Sequence, residues 1–206
     1  MRWSPSLLSI MGFVLVWSGI APIDRSIWVA EVLALPAAFL VWTMAAGGRF
    51  VRSPSMLTQY LMTVLIVMHL IGGRYTYQEV PLFEDVVPFY FGALRNHYDR
   101  VAHFVQGMAL AISARECFVS KIELRRAQMV TVFSLAIVLA FANLCEQYEW
   151  VVCEVIRGQH GIEYLGAQGD DFDTQKDMFM AMVGGVLALI LFRGVHDRQL
   201  SPTEGS

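Results

Sequence analysis

Charge is what this chain has least of. Asp, Glu, Lys and Arg make up 16% of its 206 residues, against roughly 25% in soluble domains. So thin a charged complement argues against a soluble globular domain of this length. Cysteine is nearly as scarce. Cys117, Cys145 and Cys153 form no CxxC and no Cys/His box, which excludes a disulfide framework and a thiolate metal centre and leaves them as small apolar side chains. There is no internal repeat, low-complexity tract, phosphate-binding loop or nucleic-acid motif, so no nucleic-acid partner is expected. No A-x-A-like cleavage site follows the first apolar run, which therefore reads as an uncleaved span rather than a signal peptide.

What the chain does have is apolar residues in long runs. Hydrophobic residues make up 56% of it and the mean hydropathy is +0.50. Runs of about 20 such residues predict membrane-spanning helices. Six are expected, over residues 6–22, 26–46, 56–72, 99–119, 127–152 and 178–195. The expected fold is all-α, a polytopic membrane protein with about six transmembrane helices in one bundle over residues 1–195. Pro36 lies inside the second span, which a membrane helix tolerates when neighbours satisfy the freed carbonyl. The fourth span is the weakest, interrupted by His103, Gln106, Ser113 and Arg115. Residues 73–98 carry Tyr75, Tyr77, Phe83, Phe89, Tyr90, Phe91 and Tyr98 with two prolines. They read as an aromatic flap at the headgroup level or as a loose external loop. Residues 153–176 form a Gly-rich acidic loop, and 196–206 are expected to be a disordered cytoplasmic tail.

Basic residues set the expected orientation. With six spans, one side receives Arg2, Arg49, Arg52, Arg115, Lys121, Arg125, Arg126, Arg193 and Arg198, nine against six for Arg25, Arg74, Arg95, Arg100, Arg157 and Lys176. The positive-inside rule places the nine, and both termini, in the cytoplasm. Carboxylates and imidazoles then collect at the outer face: Glu31 on the second helix, His69 on the third, Asp99 and His103 on the fourth, Glu146 and Glu149 on the fifth, Asp173 and Asp177 at the start of the sixth. Asp99 and His103 are i,i+4, and Glu146 and Glu149 are i,i+3, so each pair shares a helix face. His and carboxylate ligands converging from neighbouring helices build metal sites in bundles and acid/base pairs alike. His103, Glu146, Glu149, Asp99 and Asp177 are the candidate catalytic residues. His103, Glu146, Glu149, His69 and Asp173 are the candidate ligands for a divalent metal.

Plainer roles stand beside these. Asp173 reads equally as a helix N-cap, and Asp177 as a favourable first-turn acid. Asp99 could pair with Arg100, His69 could hydrogen-bond between helices, and Glu31 could simply reach the interface. Arg115 and the other inner arginines, with Glu116, fit headgroup contacts. Gly184 and Gly185 are expected to allow close helix contact. Glu146 and Glu149 resist dismissal: two acids one turn apart in an apolar helix, near its negative end, are doubly costly. Asp171 and Asp173 have calcium-loop spacing, but Lys176 stands where an EF-hand needs Gly and Met182 where it closes with an acid.

Met62–Tyr77, NHYDRVAHFVQG over Asn96–Gly107, EQYEW at 146–150 and GAQGDDFDTQKDM at 166–178 together resemble the YjdF-type family of bacterial inner-membrane proteins. The resemblance implies a multi-pass inner-membrane protein whose molecular function is unassigned. A more distant similarity is to VanZ-like proteins, a group associated with glycopeptide resistance. Their Asp-Lys-x-x-His signature is matched by Asp99-Arg100-Val101-Ala102-His103, and their later Asp, Asn, Gly pattern falls on Asp177, Ala181 and Gly184, with Ala in place of Asn. Three functions compete on the residues: metal-assisted activity on, or binding of, a lipid headgroup or lipid-linked envelope precursor; a membrane scaffold whose polar cluster fixes helix packing; and a proton-coupled transporter. The last should carry polar groups through the midplane.

Overall fold

The computed structural model describes residues 3–45, 54–83, 95–120, 122–124, 126–156 and 167–201, with the side chains of 36–45 and 156 left aside. Every regular element among the described residues is helical: α1 Pro5–Gly19, α2 Arg25–Ala45, α3 Met56–Arg74, α4 Tyr98–Ser120, α5 Ala127–Ile156, α6 Asp173–Leu191 and α7 Arg193–Leu200. Their starts follow local chemistry. Pro5 opens α1, where its missing N–H is not needed. Asp24 Oδ1 accepts from the backbone N–H groups of Ser26 and Ile27 at 2.7 and 2.9 Å ahead of α2. Ser55 caps α3 by accepting from Thr58 N at 3.3 Å. Helix α2 runs through Pro36 without ending.

Two ends of the bundle can be followed through contacts. At one, Ser4 N donates to Gln59 Oε1 at 2.8 Å and Arg115 meets Asp197. At the other, Ile23 N donates to Arg74 O at 3.0 Å, and His103 meets Glu146. Helices α1, α3 and α5 therefore run one way, and α2, α4 and α6 the other. Helices α3, α5 and α6 are long and apolar enough to cross a membrane, and α1 is a shorter apolar helix. Their outward surface is apolar: Phe13, Val16, Val132, Val155, Phe179 and Ile190 are all exposed, as lipid contact requires and water contact would penalise.

The least apolar long helix, α4, is the most enclosed. Its positions from Ala109 to Cys117 are all buried, packed against Val138, Phe141 and Ala142 of α5 and Ala181, Ala188 and Leu189 of α6. Enclosure in protein is what lets a spanning helix carry charges. Helices α4 and α6 are nearly in backbone contact: a Cβ on Gly107 would lie 1.8 Å from Ala181 O, and one on Gly184 would lie 1.9 Å from Phe104 O. A Cβ on Gly185 would meet Leu135 and Val138 of α5 and Gly107 O of α4. Small residues at helix crossings are the usual means of close packing in lipid.

Several expectations are corrected here. Helix α6 begins at Asp173, not near 178, so both Asp173 and Asp177 project from one helical face. Asp173 is not the cap, which falls on Phe172 with no side-chain bond. Residues 196–200 are not a disordered tail but most of α7. Its His196 is fully buried, with Nδ1 2.9 Å from Arg115 Nη1, and Gln199 Oε1 accepts from Leu57 N at 2.9 Å. Residues 202–206 lie outside the described residues. Arg115 and Glu116 do not face headgroups: Glu116 is buried and accepts from Ser55 N at 2.8 Å and Thr58 Oγ1 at 2.6 Å. The reason is common to all of these: a folded-back helix supplies partners that no local pattern announces.

Candidate functional site

The ionisable side chains at the α4 N-terminal end form two adjoining groups. The first is built on α4. One turn separates Asp99 from His103, whose Nε2 lies 3.7 Å from Asp99 Oδ1 and 3.4 Å from Glu146 Oε1 on α5. Across from them on α6, Asp177 is 2% exposed, and Asp99, Asp173 and Asp177 each offer an oxygen within 4.8 Å of the others. His103 and Glu146 are buried too, at 5% and 8% exposure. His103 Nδ1, Glu146 Oε1 and Asp177 Oδ1 have no hydrogen-bond partner. Buried polar atoms are nearly always partnered, so three such atoms in one place ask for an occupant. Glu149, one turn beyond Glu146, is half-buried in the field of Asp99, Glu146 and Glu31.

A frame of arginines closes the group. Arg95 Nη1 donates to Asp173 Oδ1 at 2.7 Å and to Ala167 O at 3.2 Å. Arg100 Nη2 donates to Asp170 and to Asp173 Oδ1, the latter at 3.2 Å. Its Nε is 3.9 Å from Asp177 Oδ1. Lys176 Nζ reaches both Asp170 oxygens at 2.7 Å, and Phe172 N donates to Oδ1 at 3.1 Å. The Lys176 ammonium, then that backbone N–H and Arg100, hold the Asp170 carboxyl well below the usual carboxylate range. The His97 imidazole is pushed down from its usual value by partial burial and by the charges of Arg100 and Arg95. Asn96 ties this frame to the α3–α4 connection, its Nδ2 donating to Gln78 O at 2.8 Å and its N to Gln168 Oε1 at 2.9 Å.

The second group is built on α3. His69 Nε2 stands 2.9 Å from the Glu31 backbone O and 3.2 Å from Glu31 Oε2, while Nδ1 is 2.7 Å from Tyr77 Oη. The structure thus places His69 with Glu31 and Tyr77, not in direct contact with His103. Glu31 is buried rather than reaching the interface. Tyr77 is turned back by left-handed backbone at Thr76 (φ 53°) and Tyr77 itself (φ 59°). Its ring then lies on Gly72, where a Cβ would stand 2.5 Å from it. Burial raises the Tyr77 phenol well above its usual value, with the Glu31 and Asp99 charges adding to the shift. Tyr98 is buried as well and donates to Met68 O at 2.8 Å. Tyr77 and Tyr98 thus pack against α3 and against each other; residues 84–94 of the expected flap, and 157–166 of the acidic loop, lie outside the described residues.

Reasoning from the sequence missed Arg95 and Asp170 and gave Arg100 only a pairing role. Their signal was present: Arg95 and Arg100 flank the start of a helix opened by Asp99, and Asp170 opens the turn into the next. The long separation between the two segments hid their pairing. A second buried cluster, Glu116 with His196 and Arg115, was missed at the opposite end.

Comparison with known proteins agrees with the architecture. The family described as "Predicted membrane protein (DUF2238)" matches residues 5–198. The chain is 35% identical over 188 residues to "Inner membrane protein YjdF" of Escherichia coli (strain K12), covering 91% of this chain and 87% of that protein. No solved structure matches. With a family match spanning nearly its whole length and a relative of this identity, the chain belongs to the DUF2238 family of predicted membrane proteins.

Proposed function

We propose that this protein binds a divalent cation between α4, α5 and α6, and uses it to hold and act on the headgroup of a lipid or lipid-linked envelope precursor. The observation that carries this is the spacing of the donors. Four ligands about 2.1 Å from a zinc-like ion at tetrahedral angles stand roughly 3.4 Å apart. Asp99, Asp173 and Asp177 each offer an oxygen within 4.8 Å of the others, and His103 Nε2 borders them, 3.7 Å from Asp99 Oδ1 and 3.4 Å from Glu146 Oε1. The mutually close set is all oxygen, which suits a hard divalent ion such as manganese or magnesium, while His103 at its edge would favour a borderline ion such as zinc. Charge agrees. Asp99, Asp170, Asp173 and Asp177 meet Arg95, Arg100 and Lys176, so carboxyl groups outnumber cations in a low-dielectric setting. A bound cation supplies Lewis acidity, and Glu146, beside His103, is placed to accept a proton. The excess of basic residues on the other side puts this end at the outer leaflet and both termini in the cytoplasm.

A scaffold role has one observation in its favour, the ion-pair frame of Arg95 and Arg100 on Asp170 and Asp173, which locks two connections together. Transport has less: between His103 and Arg115, α4 carries no ionisable residue. The test is native mass spectrometry with elemental analysis of purified wild type, Glu146→Gln, Glu149→Gln and His103→Ala. Each variant inserts, because removing an intramembrane charge lowers the insertion cost. Bound metal falls in all three, and thermal stability loses its dependence on added metal. Unchanged metal content in all three makes the cluster structural.

A further inference from the structure

The site holds unspent donors as well as unspent acceptors. Arg95 Nε, Arg95 Nη2 and Arg100 Nε are buried with no hydrogen-bond partner, and so are Glu146 Oε1 and Asp177 Oδ1. Glu146 and Asp177 are each more than nine-tenths buried. A guanidinium has five N–H donors in a rigid fork. On Arg95, Nη1 is taken by Asp173 and the whole Nε/Nη2 edge is free; on Arg100, Nη2 is taken by Asp170 and Asp173 and Nε is free. Arg100 Nε and Asp177 Oδ1 are 3.9 Å apart, too far to satisfy one another. A metal ion satisfies the carboxylates but would repel the guanidiniums. An anion satisfies the guanidiniums but would repel the carboxylates.

The geometry points to a phosphate group bridging the cation, the free Nε/Nη2 edge of Arg95 and the free Nε of Arg100, so that the headgroup bound here is a phosphate or diphosphate. This deepens the cation site proposed above and rests on it. Phosphate is the anion that fits, because its several oxygens can coordinate a metal on one side while accepting paired N–H bonds from planar guanidiniums on the other. The chemistry also sets an order. Asp170 and Asp173 already pair with the two arginines and further carboxylates stand beside them, so a phosphate is repelled until a cation is bound to ligate it. Phosphate binding is therefore conditional on metal, unlike that of an ordinary basic anion pocket.

The test is titration calorimetry of full-length protein in phosphatidylcholine nanodiscs, with inorganic pyrophosphate as the probe, with and without Mn²⁺. The wild type binds pyrophosphate at least about tenfold more tightly with Mn²⁺ present. Arg95→Lys and Arg100→Lys, which keep the charge but lose the fork, each weaken that binding at least about tenfold more than they weaken Mn²⁺ binding alone. Two variants guard against misfolding of either one. Mn²⁺ binding with no pyrophosphate binding, or with pyrophosphate binding unchanged from wild type in both Lys variants, overturns the phosphate inference and leaves the cation site standing. Tight pyrophosphate binding without metal also overturns it. Absence of Mn²⁺ binding overturns the cation site and the phosphate inference together. Repeating the titration in nanodiscs containing phosphatidic acid assigns the source: competition marks a lipid headgroup, unchanged binding a soluble phosphate, and either keeps the phosphate.

Discussion

Replacing Gly184 with Ala is the sharpest single perturbation, because it joins packing to the site. The added Cβ would lie 1.9 Å from Phe104 O, and contacts under 3.0 Å are essentially never seen. Helices α4 and α6 must therefore separate or slide by at least about 1.1 Å, the difference of those two distances. A radial gap of about 0.5–1 Å forfeits a quarter to a half of each dispersion contact, and overpacking of a close interface typically costs about 1–3 kcal/mol. At roughly 2–4 °C per kcal/mol for a chain of this size, the variant should melt about 2–12 °C below wild type. The opening also moves Asp173 and Asp177 on α6 away from Asp99 and His103 on α4. Metal binding should therefore weaken in Gly184→Ala although no ligand has been touched. Gly12→Ala is the control, since a Cβ there meets nothing within 4 Å. The assay is thermal unfolding in detergent with and without divalent metal. A Gly184→Ala protein that melts with wild type and keeps its metal response would refute the close α4–α6 contact and the link from packing to site.

The remaining predictions concern the two ends of the bundle. Glu116→Ala strands Ser55 N, Thr58 Oγ1 and His196 without their shared acceptor and should cost about 3–5 kcal/mol, read as a lower midpoint of unfolding; His196→Ala should also release α7 and speed proteolysis after residue 192. For pH dependence, Asp170 has a folded value below its ordinary 3.8. Its contribution is therefore present above about pH 4 and lost as pH falls through the folded value, so Asp170→Asn should flatten the acid limb of the stability curve. His97 is likewise lowered from 6.5; below that pH the unfolded chain takes the proton first, and His97→Gln should remove the part of the stability loss that begins near pH 6.5. Reporter fusions at residue 122 and residue 165 should read cytoplasmic and external respectively, and the reverse pattern would invert the assigned orientation.

Hydropathy and charge placement alone determined that this chain is an all-helical membrane protein. In lipid every backbone polar group must be paired within its own segment, so a run of about 20 apolar residues leaves little freedom. The same logic set candidate polar residues at a shared depth, because helix ends follow from span boundaries. Depth is one coordinate, however, and a site needs three. That His103 lies against Glu146, that His69 goes instead to Glu31 and Tyr77, and that Arg95 reaches across to Asp173 depends on how each helix is rotated and which neighbour it meets. Gly107 and Gly184 decide much of that by letting α4 and α6 approach to backbone contact. Their pairing is a fact about two surfaces, written nowhere in either segment. The buried Glu116–His196 contact has the same origin: α7 reads as a polar tail until α3 and α4 provide the partners that make burying its imidazole favourable.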